Sequence, residues 1–120
     1  MTKQEVHFIV SLAVNEGKLE EFKSIAQSMI AATQTEPGAS AYEWFFSSDG
    51  TRCRLLERYA RPEAVLAHLA GAGVQEFLPR LLKVSIVAGF EVYGDPGPKG
   101  TETLTAFGAE IFQLWQGLDR

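Results

Sequence analysis

The sequence predicts an α+β fold with elements in the order β-α-β-β-α-β, forming one antiparallel sheet with both helices on one face. Three observations predict it. Apolar residues alternate with period two near the N-terminus, two later segments repeat apolar residues at helical spacing, and an Asp-Gly pair separates two strand-like runs. A length of 120 residues, 46% of them hydrophobic, is enough for one such core and too little for a second independent one.

Residues 5–14 place Val6, Phe8, Val10, Leu12 and Val14 on one parity and His7, Ile9, Ser11 and Ala13 on the other, so the first strand has one strongly apolar face. Leu19, Phe22, Ile25, Met29 and Ile30 then recur at helical spacing, with Glu20 and Glu21 in the first turn, where the helix dipole favours negative charge. Glu36-Pro37-Gly38 should stop this helix, because proline restricts the residue before it and glycine frees the next. Residues 39–47 and 51–60 read as two strands joined at Ser48-Asp49-Gly50, a strong hairpin signal. Pro62 opens the second helix at its first position, and Val65, Leu66 and Leu69 give that helix its apolar stripe. Gly71-Ala72-Gly73 interrupts it, a further helical piece covers residues 74–82, and a strand at 84–93 ends in the breaker Gly94-Asp95-Pro96-Gly97-Pro98. In the tail, Leu104, Phe107, Ile111, Leu114 and Leu118 fit one helix, whereas Gly108 and the run Ile111 to Trp115 fit a helix followed by a strand. The second reading is adopted. Residues 1–94 are thus expected to form the domain, and 95–120 a C-terminal extension packing on it or on a partner subunit.

Composition narrows the function. A net charge of −4 and 11 scattered Lys and Arg residues give no reason to approach phosphate backbones, which argues against nucleic acid as a partner. No run has the apolar length of a membrane span, and Met1 to Glu5 lead into a strand pattern rather than a signal peptide, so the expectation is a soluble, cytoplasmic protein. The single Cys53 cannot form an internal disulfide and reads as a small apolar strand residue. Two widely separated histidines and one cysteine make no metal-ligand spacing, and neither a phosphate-binding glycine loop nor a nucleophile elbow occurs. Any reaction must use an acid-base residue and a shaped pocket.

A two- or four-residue loop at Asp49-Gly50 pairs Phe46 with Cys53, Trp44 with Leu55, Tyr42 with Glu57 and Ser40 with Tyr59. One sheet face then collects Tyr42, Trp44, Phe46, Leu55, Glu57 and Tyr59. The other collects Glu43, Phe45, Arg52, Arg54, Leu56 and Arg58, a mixture that with Ile9 suits the sheet of a second subunit, and a homodimer is expected. Glu57 is the oddity, since an unpaired carboxylate among aromatic rings is expensive. It either accepts a hydrogen bond from Tyr42 or a backbone donor, or it is a polar group in a ligand cleft. His68 stands beside the apolar stripe of its helix, at the flank, and imidazole is the side chain best suited to carry protons near neutrality. His7 falls on the parity of the dimer side.

Four pieces carry a resemblance: "VNEGKLEEFKSIA", "TEPGASAYEW", "LLERYARPEAVLAHLA" and the element order, together covering about residues 5–93. In these the chain resembles the antibiotic biosynthesis monooxygenase family. The resemblance implies a ferredoxin-like fold that pairs as a dimeric α+β barrel, with the tail after Gly94 longer than in the shortest members. The family's activities include cofactor-free oxidation of hydroxylated aromatics or quinols, haem degradation and small-sugar isomerisation. The haem-degrading branch carries an asparagine in its first strand where this chain has Ile9, Val10 and Ser11, so haem degradation is not expected. His68 coincides with the family's Ala-His position, and Glu57 and Tyr59 with its Glu-x-aromatic. The resemblance therefore implies a cofactor-independent monooxygenase that oxidises a small hydroxylated aromatic or quinol with O2 and uses no metal, flavin or haem. His68 would be the base or proton shuttle, Glu57 would orient it or the substrate hydroxyl, and both would be catalytic. Tyr42, Trp44, Phe46 and Tyr59 would contact substrate, the tyrosines donating hydrogen bonds. A non-catalytic dimeric ligand-binding module and an isomerase working by proton transfer remain the alternatives.

Overall fold

The computed structural model describes residues 4–120. Met1 to Lys3, part of the stretch read as leading into a strand, lie outside the described residues. The elements are β1 (Val6–Val14), α1 (Leu19–Thr33), β2 (Ala39–Phe46), β3 (Arg52–Tyr59), α2 (Pro62–Ala70), a π-helical stretch (Gly73–Phe77), α3 (Leu78–Leu81), β4 (Ser85–Tyr93), α4 (Gly97–Ala106) and β5 (Glu110–Phe112). They form one sheet of order β2-β3-β1-β4-β5. The four longer strands pair antiparallel, and β5 joins β4 in parallel, so the sheet as a whole is mixed. The fold is thus α+β with the predicted β-α-β-β-α-β order at its centre, and the tail adds a helix and then a strand.

The hairpin between β2 and β3 follows from its turn chemistry. Ser47 N–H donates to the Arg52 carbonyl at 2.9 Å, closing a loop over residues 48–51, and Gly50 supplies the positive φ of 73° that the turn needs. Asp49 accepts from the Thr51 amide, the Thr51 hydroxyl and the Ser47 hydroxyl, and these donors hold its carboxyl down at about 2. This loop preserves parity, so Phe46 meets Cys53, Trp44 meets Leu55 and Tyr42 meets Glu57. The expected Ser40–Tyr59 pair does not form. A bulge between Ala39 and Ala41 sets Ala39 opposite Tyr59, and the Ser40 hydroxyl instead accepts from Arg58 Nε at 2.9 Å.

A second bulge, between β1 and β4, has more consequence for the site. Ser11 faces Gly89 and Leu12 faces Val87, which leaves Ala88 as the extra residue. Val87 and Phe90, of opposite parity in the sequence, therefore both turn toward the helices.

That helix-facing side carries the core, divided in two. One cluster joins Val6, Phe8, Tyr59, Val65, Val92 and Leu104; the other joins Leu12, Phe22, Met29, Cys53, Leu81 and Val84. Cys53 is fully buried there as a small strand residue, and burial pushes its thiol up to about 11, so it stays neutral. Among the described residues no helix is long and apolar enough to cross a membrane.

Candidate active site

An apolar cleft of about 120 Å³ lies between the sheet and the helices, bordered by Phe8 of the first core cluster and by Leu12, Met29 and Leu81 of the second. Among the described residues its only polar lining side chains are Tyr42, Glu57 and His68. The strand pairing that sets Tyr42 beside Glu57 supplies two of them, and α2 lowers the third onto the sheet.

His68 is 3% exposed, so it is not the near-surface flank residue its helical position suggested. What buries it is a pair of carboxylates. Glu36 Oε1 accepts from Nδ1 at 2.8 Å, and Glu57 Oε1 stands 3.5 Å from Nε2. An ionised carboxylate only accepts, so the Glu36 contact keeps the proton on Nδ1 and leaves Nε2 turned to Glu57. The Tyr42 and Tyr59 rings cover the imidazole, with centroids 5.5 and 5.0 Å away.

Glu57, 6% exposed, lines the cleft and receives a hydrogen bond from the Tyr59 hydroxyl, a donor other than the Tyr42 or backbone one considered from the sequence. Burial raises its carboxyl above the ordinary 4.5, while His68 and Tyr59 pull it down and Glu36 adds to the rise. Burial and the neighbouring Glu57 carboxylate also push the Tyr42 and Tyr59 phenols far above their usual range. Both tyrosines are therefore neutral donors at ordinary pH.

The structure brings His68, Glu57 and Tyr42 together on the cleft. Tyr59 stands behind Glu57, fully buried and outside the lining, as its supporting donor. Trp44 and Phe46, expected to line the cleft, share that sheet face but lie farther along β2, edge-on to Phe22 of α1, and contribute no lining surface. His7 is on the opposite sheet face with its Nε2 3.4 Å from Glu5 Oε1.

Sequence reasoning gave Glu36 no role in the site, reading it as part of a helix stop and of a piece that carries the family resemblance. Two glycines mark its position. A Cβ on Gly38 would come within 2.4 Å of Ala64 Cβ, so the turn after Glu36 can press against α2 only without a side chain there. A Cβ on Gly71 would lie 2.7 Å from Glu36 Oε2, so the end of α2 is open for the carboxylate. Glu-Pro-Gly before one strand and glycine just after an Ala-His helix are the available signal. Glu36 and Glu57 address opposite ring nitrogens, and among the described residues no three His, Cys, Asp or Glu side chains converge for a metal.

The antibiotic biosynthesis monooxygenase family model matches residues 6–80. The chain belongs to this family. Solved structures of the same fold include MupZ from Pseudomonas fluorescens, at TM-score 0.82 and 23% identity over 98% of this chain and 95% of that one. They also include SnoaB from Streptomyces nogalater, a cofactor-independent oxygenase, at TM-score 0.67 and 19% identity over 79% of this chain and 96% of that one. Protein SO0527 from Shewanella oneidensis aligns at TM-score 0.63 and 27% identity over 76% of this chain and 88% of that one. Comparison with curated protein sequences gives no match. Within this antibiotic biosynthesis monooxygenase member, His68, Glu57, Tyr42, Tyr59 and Glu36 all fall inside the matched span, whereas the cleft residues Val87, Phe90 and Phe107 lie beyond it.

Proposed function

We propose that this antibiotic biosynthesis monooxygenase member oxidises a small hydroxylated aromatic with O2, without a cofactor, in the cleft between sheet and helices. The observation that carries the proposal is the imidazole bracketed by two carboxylates at the polar end of an otherwise apolar pocket. His68 Nε2 takes the phenolic proton, and Glu36 and Glu57 stabilise the imidazolium that forms. Tyr42 donates a hydrogen bond to the phenolate, and the dry walls keep the anion electron-rich. The phenolate gives one electron to O2, and superoxide and phenoxyl radical combine at a ring carbon. The imidazolium of His68 protonates the peroxide anion to a hydroperoxide. His68 Nε2 then removes the proton of the same ring carbon as the O–O bond breaks, leaving a quinone carbonyl and hydroxide, and the hydroxide takes that proton from His68, so phenol and O2 become quinone and water.

A second reading, proton transfer without oxygen, is favoured by one observation. The Nε2 to Glu57 contact is itself a proton-passing pair, and the raised carboxyl can hold the proton that the imidazole gives up. An oxygen electrode with a panel of phenols and quinols separates the two. Substrate-dependent O2 consumption that His68→Ala abolishes supports oxygenation, and substrate conversion without O2 uptake replaces it with the isomerase-type reading.

The chain acts as a homodimer paired through the outer sheet face, where Phe45, opposite Arg54, is 51% exposed, Leu56 is exposed on the same strand as Arg54, and Ile86 of β4, opposite Ala13, is 64% exposed.

A further inference from the structure

We infer that the natural ligand is an amphipathic phenol: one hydroxylated ring carrying a hydrocarbon chain, rather than a fused polycycle. The inference deepens the reading of the cleft as the substrate site and rests on it.

Volume limits what the whole cleft, mouth included, can enclose. The cleft measures about 120 Å³, and a cavity of about 150 Å³ with aliphatic and aromatic walls takes benzene. One ring fits. A fused tricycle would have to displace Met29, Leu81 or Phe8, each at most 2% exposed and packed into the core.

Polarity limits the ring's orientation. Tyr42, Glu57 and His68 stand together, and among the described residues every other lining side chain is apolar. A hydroxyl pointing there finds donors and acceptors, and any polar group elsewhere on the ligand would be desolvated without a partner.

The mouth then shows what the ring carries. Leu82 at the end of α3, Val87 on β4 and Phe107 after α4 line the cleft yet are 42%, 43% and 52% exposed. The strand bulge turns Val87 inward, and Leu104, buried beneath α4, seats the helix that presents Phe107. These three side chains leave an apolar track continuous with the ring pocket and open to solvent. A hydrocarbon chain lying on it would bury this surface, whereas a bare phenol would leave it wet.

Titration calorimetry of the purified protein with phenol, 4-butylphenol, 4-octylphenol, octylbenzene and a hydroxyanthracene tests this. Affinity should rise by about fourfold per methylene over the first several carbons, the scale expected for burying a CH2 group. Octylbenzene should bind at least about tenfold more weakly than 4-octylphenol, through loss of the hydrogen-bonded hydroxyl. Phe107→Ala should reduce the octylphenol-to-phenol affinity ratio by about tenfold, with Leu82→Ala as a second probe should the first variant melt early. A ratio near one across the phenols, hydroxyanthracene binding tighter than octylphenol, or octylbenzene matching octylphenol would each overturn the inference. Chain-dependent binding without oxygen consumption would leave it standing and remove the oxygenase reading. Oxygen consumption with equal affinity for all chain lengths would do the reverse.

Discussion

His68 takes its chemistry from side chains that arrive from two other parts of the chain, Glu36 from the turn before β2 and Glu57 from β3. Removing the imidazole removes the nitrogen to which the phenolic proton is assigned, Nε2, beside Glu57. His68→Ala should lower turnover by about 10²-fold or more in the oxygen-electrode assay, the usual scale for a general base, whereas His7→Ala, on the other sheet face, should change it little. Glu36 touches only the ring's far nitrogen, so its role is positioning. Glu36→Ala should lower kcat by about tenfold with little change in KM, and nitrogen-15 NMR should show the His68 ring as a mixture of tautomers where the wild type shows one. Glu57 gives a pH signature. Its carboxyl titrates above 4.5 in the folded protein, so the folded state holds a proton that the unfolded chain has already lost. The stability this contributes is complete below 4.5 and is lost as pH rises through the folded value. Glu57→Gln cannot ionise. Thermal melts should therefore show the variant gaining on wild type steadily as pH is raised from 4.5, and a constant difference between them would contradict the raised carboxyl.

At the scale of elements, the site depends on backbones that approach closely. Gly38 lets the turn after α1 lie against α2, where the nearest atom to an added Cβ is another Cβ, not the movable end of a long side chain. Gly38→Ala should destabilise by about 1–3 kcal/mol in urea titration, and the double variant with Ala64→Gly should recover most of that loss. Gly71 differs, because its added methyl would meet the Glu36 carboxylate. Gly71→Ala should therefore disturb the His68 tautomer more than the melting temperature. Helix α2 ends at Ala70, and the π-helical stretch that follows carries Val74 to the cleft before α3 brings Leu78 and Leu81. The interruption at Gly71-Ala72-Gly73 thus lets two short helical pieces wall one pocket.

Across the whole molecule, the sheet divides an inner face that holds two core clusters and the cleft from an outer face with exposed Phe45, Leu56 and Ile86. A single layer of helices covers only the first. Light scattering after size exclusion should give twice the 13.2 kDa chain mass. Phe45→Glu should dissociate the dimer while leaving the far-ultraviolet circular dichroism unchanged, since the charge would be buried only in the pair. A wild-type monomer at micromolar concentration would remove the dimeric barrel.

What the sequence determined by itself is whatever short-range chemistry encodes. The alternation at Val6 to Val14, the Asp49-Gly50 turn, Pro62 at a helix start and the parity that sets Tyr42 against Glu57 each involve residues near in sequence or a register counted from one turn. The family's element order follows from these. Tertiary structure alone decided which aromatics meet the cleft. Trp44 and Phe46 have the same parity as Tyr42, and only the placement of Phe22 on α1 assigns them to the core. It also decided that Val87 and Phe90 face the same way, because a bulge at Ala88 breaks the parity on which the sequence reading depends. The Glu36 contact spans 32 positions. No periodicity carries such a pair, since its distance is set by how closely a turn and a helix can pack, and that closeness is permitted by two missing side chains, at Gly38 and Gly71.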